Sequence, residues 1–307
     1  MAVLITSSCI FDSEPAEPGF PSELEASISF EDVGAPAACK CMPNSDAALV
    51  IADDHIGVVQ LQTGQLAASF DLGVAVDDIA DSQAGGYAWA LADSLLYRID
   101  ISAPSLLDPV RLDGRGLYVT ASSQENAVMV VMEDDSLFRM DADSIHGWTV
   151  PGIAMNGCQG LEYGGEGILY AVLGSEGAIA GFDTGDWDEI GRVSIPGDAI
   201  DMFPGPSGYV CAIVDGSNEL WFIRTVDCKL YRMITFPETP AAAASMPDGS
   251  YGYGACAGSG LLIVAESGQV DFRSMQYGVP AGIDITPDGE RAVLCNAETR
   301  MVHVLAR

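Results

Sequence analysis

Basic residues are scarce in this chain of 307 residues: 13 arginines and lysines stand against 44 aspartates and glutamates, a formal net charge of −31, and Lys40 and Lys229 are its only lysines. A field of that sign repels phosphate backbones, so nucleic acids and anionic membrane surfaces are excluded as partners. Cations and basic proteins remain open, although a solvated extracellular surface is the plainer reading of such an excess. Long apolar runs are missing too. The hydrophobic stretches are short and broken by Gly, Asp and Ser, which excludes membrane-spanning helices. The three histidines, His55, His146 and His303, are scattered, and no HxH, HExxH, GxSxG, CxxC or CxxCH pattern occurs. Zinc hydrolysis, haem attachment and a serine nucleophile elbow therefore have no motif behind them. Helical periodicity is absent as well.

What is present is a weak repeat. Pro247-Asp248-Gly249 and Pro287-Asp288-Gly289 lie about 40 positions apart, the spacing of propeller blades. Each is a turn signature in which Pro fixes φ and Gly is free to adopt positive φ. Aligning on such turns gives seven inner strands: Ala37–Met42, Val76–Ser82, Leu117–Ser122, Gly160–Gly164, Ala199–Phe203, Ala241–Met246 and Ala281–Thr286. Stronger runs follow, such as Ala48–Ala52, Ala127–Met132, Ile168–Leu173 and Gly260–Ala265. Apolar character that is continuous rather than alternating marks sheets buried on both faces. The reading is all-β: one seven-bladed propeller over 22–307, built of four-stranded antiparallel blades.

The last unit has only three strands by Arg307, while Ser29–Gly34 matches the outer strand of the next unit, Ser69–Gly73. The segment 22–34 should therefore supply the closing outer strand, at about Glu25–Phe30, paired with Met301–Leu305. Such closure removes free sheet edges. Donated to a neighbour, the same strand would link subunits.

Gly282–Leu305, GIDITPDGERAVLCNAETRMVHVL, resembles the YVTN-type or YncE-like bacterial propeller repeat, with Pro287-Asp288-Gly289, Val293-Leu294, Asn296 and Val302–Leu305 in the family's slots. The letters Tyr118-Val119-Thr120 fall out of register with that motif. The resemblance implies an exported binding or surface protein, with lactonases and a lyase in neighbouring families. Met1–Cys9, MAVLITSSC, resembles the end of a bacterial lipoprotein signal, in which Cys9 would be acylated. The acidic, Pro-rich segment that follows reads as a tether, making residues 1–21 a signal remnant and linker.

Candidate chemistry is sparse. Glu162, Asp201 and Asp284 share one aligned slot on inner strands, with Lys40 at that slot in the first unit and Asp77, Asp78 and Asp198 nearby. Inner strands line a propeller's axis, so these carboxylates could hold a calcium ion or simply be solvated channel groups. Asp183–Glu189 reads as a solvated turn, and His303 as a hydrogen-bonded packing residue. Among the eight cysteines, Cys211, Cys256 and Cys295 fall in second strands and Cys39 and Cys41 share one strand face. Cys158 begins an inner strand, and Cys228 is the expected exposed thiol for an intermolecular bond. The reading that follows is a non-enzymatic, extracytoplasmic binding or scaffold protein with no cofactor beyond that calcium ion. It would have a protein or small-molecule partner and would touch membrane only through a lipid anchor. The alternatives are a self-assembling filament subunit, joined through its N-terminal segment or disulfides, and a metal-assisted lactonase or lyase at the axial channel.

Overall fold

A computed structural model describes residues 19–307, apart from 44, 82–85, 123–124, 144 and 166. Cys9 and nearly all of the proposed signal and tether lie outside the described residues.

The described residues form seven antiparallel sheets, each running outward from an inner strand. The inner strands are Pro36–Cys41, Asp78–Asp81, Gly116–Ser122, Cys158–Tyr163, Ala199–Pro204, Ala242–Ser245 and Gly282–Ile285, in blades 1 to 7. Consecutive inner strands touch around the ring, and blade 7 touches blade 1. Second strands are the best buried: every residue of Ala47–Ala52, Ala127–Met132 and Ile168–Leu173 is inside. These strands are covered on both faces by neighbouring blades, which is why their sequence does not alternate.

The core follows from this. Seven apolar clusters of described residues occupy the seven seams between adjacent blades. No blade buries both of its own faces, so the ring is the folding unit. The turn chemistry is as the sequence implies. Gly249 and Gly289 have φ of 71° and 70°, and their N–H groups donate to Met246 and Thr286 at 2.8 Å. A Cβ on Gly249 would also collide with the Arg232 guanidinium.

Closure occurs as the strand match predicts. Glu23–Ser29 pairs antiparallel with Met301–Ala306 of the same chain, with Leu24 opposite Leu305 and Ser29 opposite Met301. Phe30 is fully buried in the seam between blades 7 and 1. Phe20 packs edge-on against Tyr251 at 4.7 Å, and the Tyr253 hydroxyl donates to the Pro21 carbonyl at 2.8 Å, so the segment is also fixed over blade 6. His303 meets Ser27 Oγ at 2.9 Å within this pair of strands, a packing role that matches its reading.

Blade 2 departs from the pattern. Its outer strand is split into Ser105–Leu106 and Val110–Arg111, both paired with Leu95–Asp100. Pro109 lies between the two pieces and has no N–H to give the ladder.

Candidate functional site: the axial channel

All seven inner strands line one cavity of about 760 Å³ along the ring axis. An inner strand is a sheet edge, so its channel-side amides need partners other than another strand. Side chains provide them across the seams. Asp284 Oδ2 accepts the Cys41 N–H of blade 1 at 2.6 Å, and Asp78 Oδ2 accepts the Val119 N–H of blade 3 at 2.8 Å. Thr120 Oγ1 accepts the Tyr163 N–H of blade 4 at 3.2 Å. Two of the acids also bracket their own strands, Asp284 through Ile285 and Asp78 through Ile79, each at 2.8 Å.

The slot shared by Glu162, Asp201 and Asp284 in the sequence divides into two tiers. Lys40, Thr120, Glu162 and Asp284 sit opposite the third residue of their second strands: Leu49, Met129, Tyr170 and Val293. Asp201 and Asp78 lie opposite the fifth, Ile213 and Leu91. Turn-based alignment does not reveal this, because the link from inner to second strand differs in length between blades and a bulge falls between Ala199 and Asp201. The structure thus brings all three carboxylates to one cavity on two levels. Among the described residues, the three-ligand group whose atoms lie within 4.8 Å of one another is elsewhere, at Asp54, His55 and Asp71.

Lys40 reaches two of the cavity carboxylates. Its Nζ lies 3.3 Å from Glu162 Oε2 and 3.7 Å from Asp81 Oδ1. Burial alone would depress this ammonium, but Glu162, Asp81, Asp78 and Asp284 outweigh it and hold its pKa well above the usual lysine value. The carboxylates shift upward chiefly because they are buried, and neighbouring carboxylates add to it. Burial raises Asp201 to about 7, and Asp78 and Asp284 to about 6, against the pull of Lys40 and of backbone N–H donors. Glu162, 5% exposed, is likewise raised by burial, opposed by Lys40. It also accepts from Thr120 Oγ1 at 3.3 Å and from the Tyr163 N–H at 3.0 Å. Asp77, at the rim, is compensated by Arg115 at 2.7 Å. Among the described residues lining the cavity, Lys40 is the one cationic side chain. It faces Asp78, Asp81, Glu162, Asp201 and Asp284.

Sequence reasoning missed Asp81 and Thr120, and the pairing of Lys40 with Glu162. Lys40 at the acidic slot was the available signal, since a buried lysine needs a carboxylate partner. Cys228 requires correction. It is fully buried rather than exposed, with Sγ 3.5 Å from the Ile179 carbonyl and its thiol pushed up to about 12 by burial. It sits at a left-handed turn position, φ 47°, which directs the side chain into the seam between blades 4 and 5. An intermolecular disulfide through Cys228 is therefore not available to the folded chain. Asp183–Glu189 is a turn between strands Ala178–Asp183 and Glu189–Ser194, as read. Among the described residues, no helix is long and apolar enough to cross a membrane.

The architecture defines the chain as a seven-bladed, WD40-like β-propeller. It is similar to Kuenenia stuttgartiensis hydrazine synthase, at a TM-score of 0.73 and 12% identity over 95% of this chain and 99% of that one. It is similar also to the Cps50 (Swd1) β-propeller domain of Myceliophteria thermophila, at 0.76 and 12% over 94% and 100%. Likeness at that identity shows the fold. No family model and no curated protein matches the sequence.

Proposed function

We propose that this chain is an exported, lipid-tethered, non-enzymatic binding or scaffold propeller whose axial channel receives a positively charged group of its ligand or partner. The observation that carries the reading is the charge balance of the cavity: Asp78, Asp81, Glu162, Asp201 and Asp284 share the single ammonium of Lys40. Desolvated carboxylates held near one another gain more from an incoming cation than exposed ones do. Export and tethering through Cys9 rest on the MAVLITSSC segment, the acidic Pro-rich stretch after it and the resemblance to YVTN-type repeats. The absence of any nucleophile or metal-hydrolase motif supports a binding role rather than catalysis.

Equilibrium dialysis with spermidine as a probe, at low ionic strength, tests the channel. Retention by the wild type and loss of it in Asp201→Asn is expected, and equal retention by both contradicts the reading. Glu162, Asp201 and Asp284 do not bring three ligand atoms within 4.8 Å of one another, so a calcium ion held by all three together is the weaker reading. Metal-dependent lactone turnover abolished by Asp201→Asn would replace the binding role with the enzymatic one. For the self-assembling alternative, light scattering of the full chain with and without reductant is the test.

A further inference from the structure

The geometry points to a ring-locking disulfide between Cys39 and Cys295, across the seam where the first and last blades meet. Cys39 lies on the inner strand of blade 1, opposite Val50, and Cys295 on the second strand of blade 7, opposite Gly282. At Gly282 the two blades approach closely. A Cβ placed on it would lie 2.7 Å from Ala38 Cα and 3.2 Å from the Cys39 nitrogen. With no side chain there, Cys39 packs against the strand of Cys295. Its thiol lies 3.5 Å from the Val293 carbonyl and within side-chain hydrogen-bonding reach of Cys295. Both belong to the apolar cluster that joins Phe30 and Ile28 to blade 1.

The third thiol nearby, Cys41, does not compete. Cβ atoms two residues apart on a strand are separated by about 7 Å, whereas a disulfide needs about 3.5–4.5 Å, so Cys39 cannot bond to Cys41. Cys41 is instead engaged with Asp284 through both its amide and its side chain.

Access fixes the order of events. Cys39 is half-buried and lines the axial cavity, whereas Cys295 is wholly enclosed. The oxidant is a low-molecular-weight disulfide, RSSR, or an equivalent exchange protein. Cys39, as thiolate, attacks one sulfur of RSSR to give Cys39–S–SR and release RS⁻. Cys295, as thiolate, then attacks the Cys39 sulfur, forming Cys39–S–S–Cys295 and releasing the second RS⁻. The two protein protons end on two RSH, and the two electrons reduce RSSR. The neighbouring Cys295 side chain, and then burial, hold the Cys39 thiol protonated in the closed ring, so exchange is fastest while the N-terminal strand is still unseated.

The test is refolding of the reduced, full chain in a glutathione redox buffer. It is followed by denaturing alkylation with N-ethylmaleimide and non-reducing peptide mapping. The expected product is a Cys39 peptide joined to a Cys295 peptide, retained in Cys41→Ser and lost in Cys295→Ser. The oxidised wild type should also show a raised unfolding midpoint that reductant abolishes. Recovery of both residues alkylated, a persistent glutathione adduct on Cys39, or either cysteine joined to a different partner would overturn the assignment. The mapping is done on the wild type, so it decides the matter even where a variant fails to fold.

Discussion

Asp284 of the last blade accepts the backbone N–H of Cys41 in the first at 2.6 Å. The ring is thereby bridged on its channel side by a carboxylate, at the seam that Glu23–Ser29 closes on its outer side. Asp78 and Thr120 do the same one seam at a time, toward Val119 and Tyr163. These side chains are the partners that sheet edges facing a channel would otherwise lack.

Asp284→Ala should cost about 1–3 kcal/mol in urea unfolding, the penalty for leaving the Cys41 amide without an acceptor. Asp284→Asn keeps one acceptor oxygen and should cost clearly less. Equal losses would mean that charge, not the bracket, matters at this position.

Phe30→Ala should cost about 3–5 kcal/mol, because the ring is fully buried at the closing seam and a cavity would remain. The Arg291–Glu25 pair, 2.6 Å long and partly solvated, should contribute about 1 kcal/mol or less. Urea unfolding of Phe30→Ala and Arg291→Ala checks the order. If Arg291→Ala is the worse variant, the closing strand is held by charge rather than by packing.

Lys40→Met strips the counter-ion from Glu162 and should destabilise the fold by about 3 kcal/mol. Adding Glu162→Gln should restore part of that, since Asp81, Asp78 and Asp284 still lose their shared cation. A double-mutant cycle with no coupling would show that the 3.3 Å contact carries no energy.

The channel acids also predict a pH dependence. Asp78 and Asp284 are raised to about 6 and Asp201 to about 7, against about 3.9 in an unfolded chain. Between those values the folded state holds protons that the unfolded state has released, so this contribution to stability is greatest below about pH 4 and is lost as pH rises through 6 to 7. Lys40 does not alter the sign, because its raised pKa keeps its contribution in place throughout that range. Carboxylates with lowered pKa, such as Asp227 at about 2, act oppositely and only at lower pH. The difference between wild type and Asp201→Asn isolates the channel. The variant's stability should fall less steeply from pH 5 to pH 8, by on the order of 1–2 kcal/mol in total; parallel curves would contradict the shift.

The fold was legible because its punctuation is local. Pro-Asp-Gly turns with glycine at positive φ, fully apolar second strands and the match of Ser29–Gly34 to Ser69–Gly73 each report on a few neighbouring residues. The site was legible only in composition. Register across blades depends on bulges and connection lengths, so Asp201 read as level with Glu162 although it lies a tier away. Cys228 read as exposed because its turn is polar, with Asp227 and Lys229 on either side. The direction of its side chain is set by a left-handed backbone angle that spacing does not reveal. The approach of Cys39 to Cys295 spans nearly the whole chain and depends on a glycine in a third strand.

Calorimetric titration of the wild-type protein and Asp201→Asn with spermidine, at pH 5 and at pH 8, tests the central claim most directly. Exposed carboxylates with ordinary pKa values are already ionised at pH 5, whereas Asp78, Asp201 and Asp284 ionise between the two conditions. Binding in the channel predicts an affinity that rises from pH 5 to pH 8 in the wild type, with proton release, and a much smaller rise in Asp201→Asn. An affinity that is the same at both pH values, or that rises equally in the variant, would place the binding on the acidic outer surface and contradict the account.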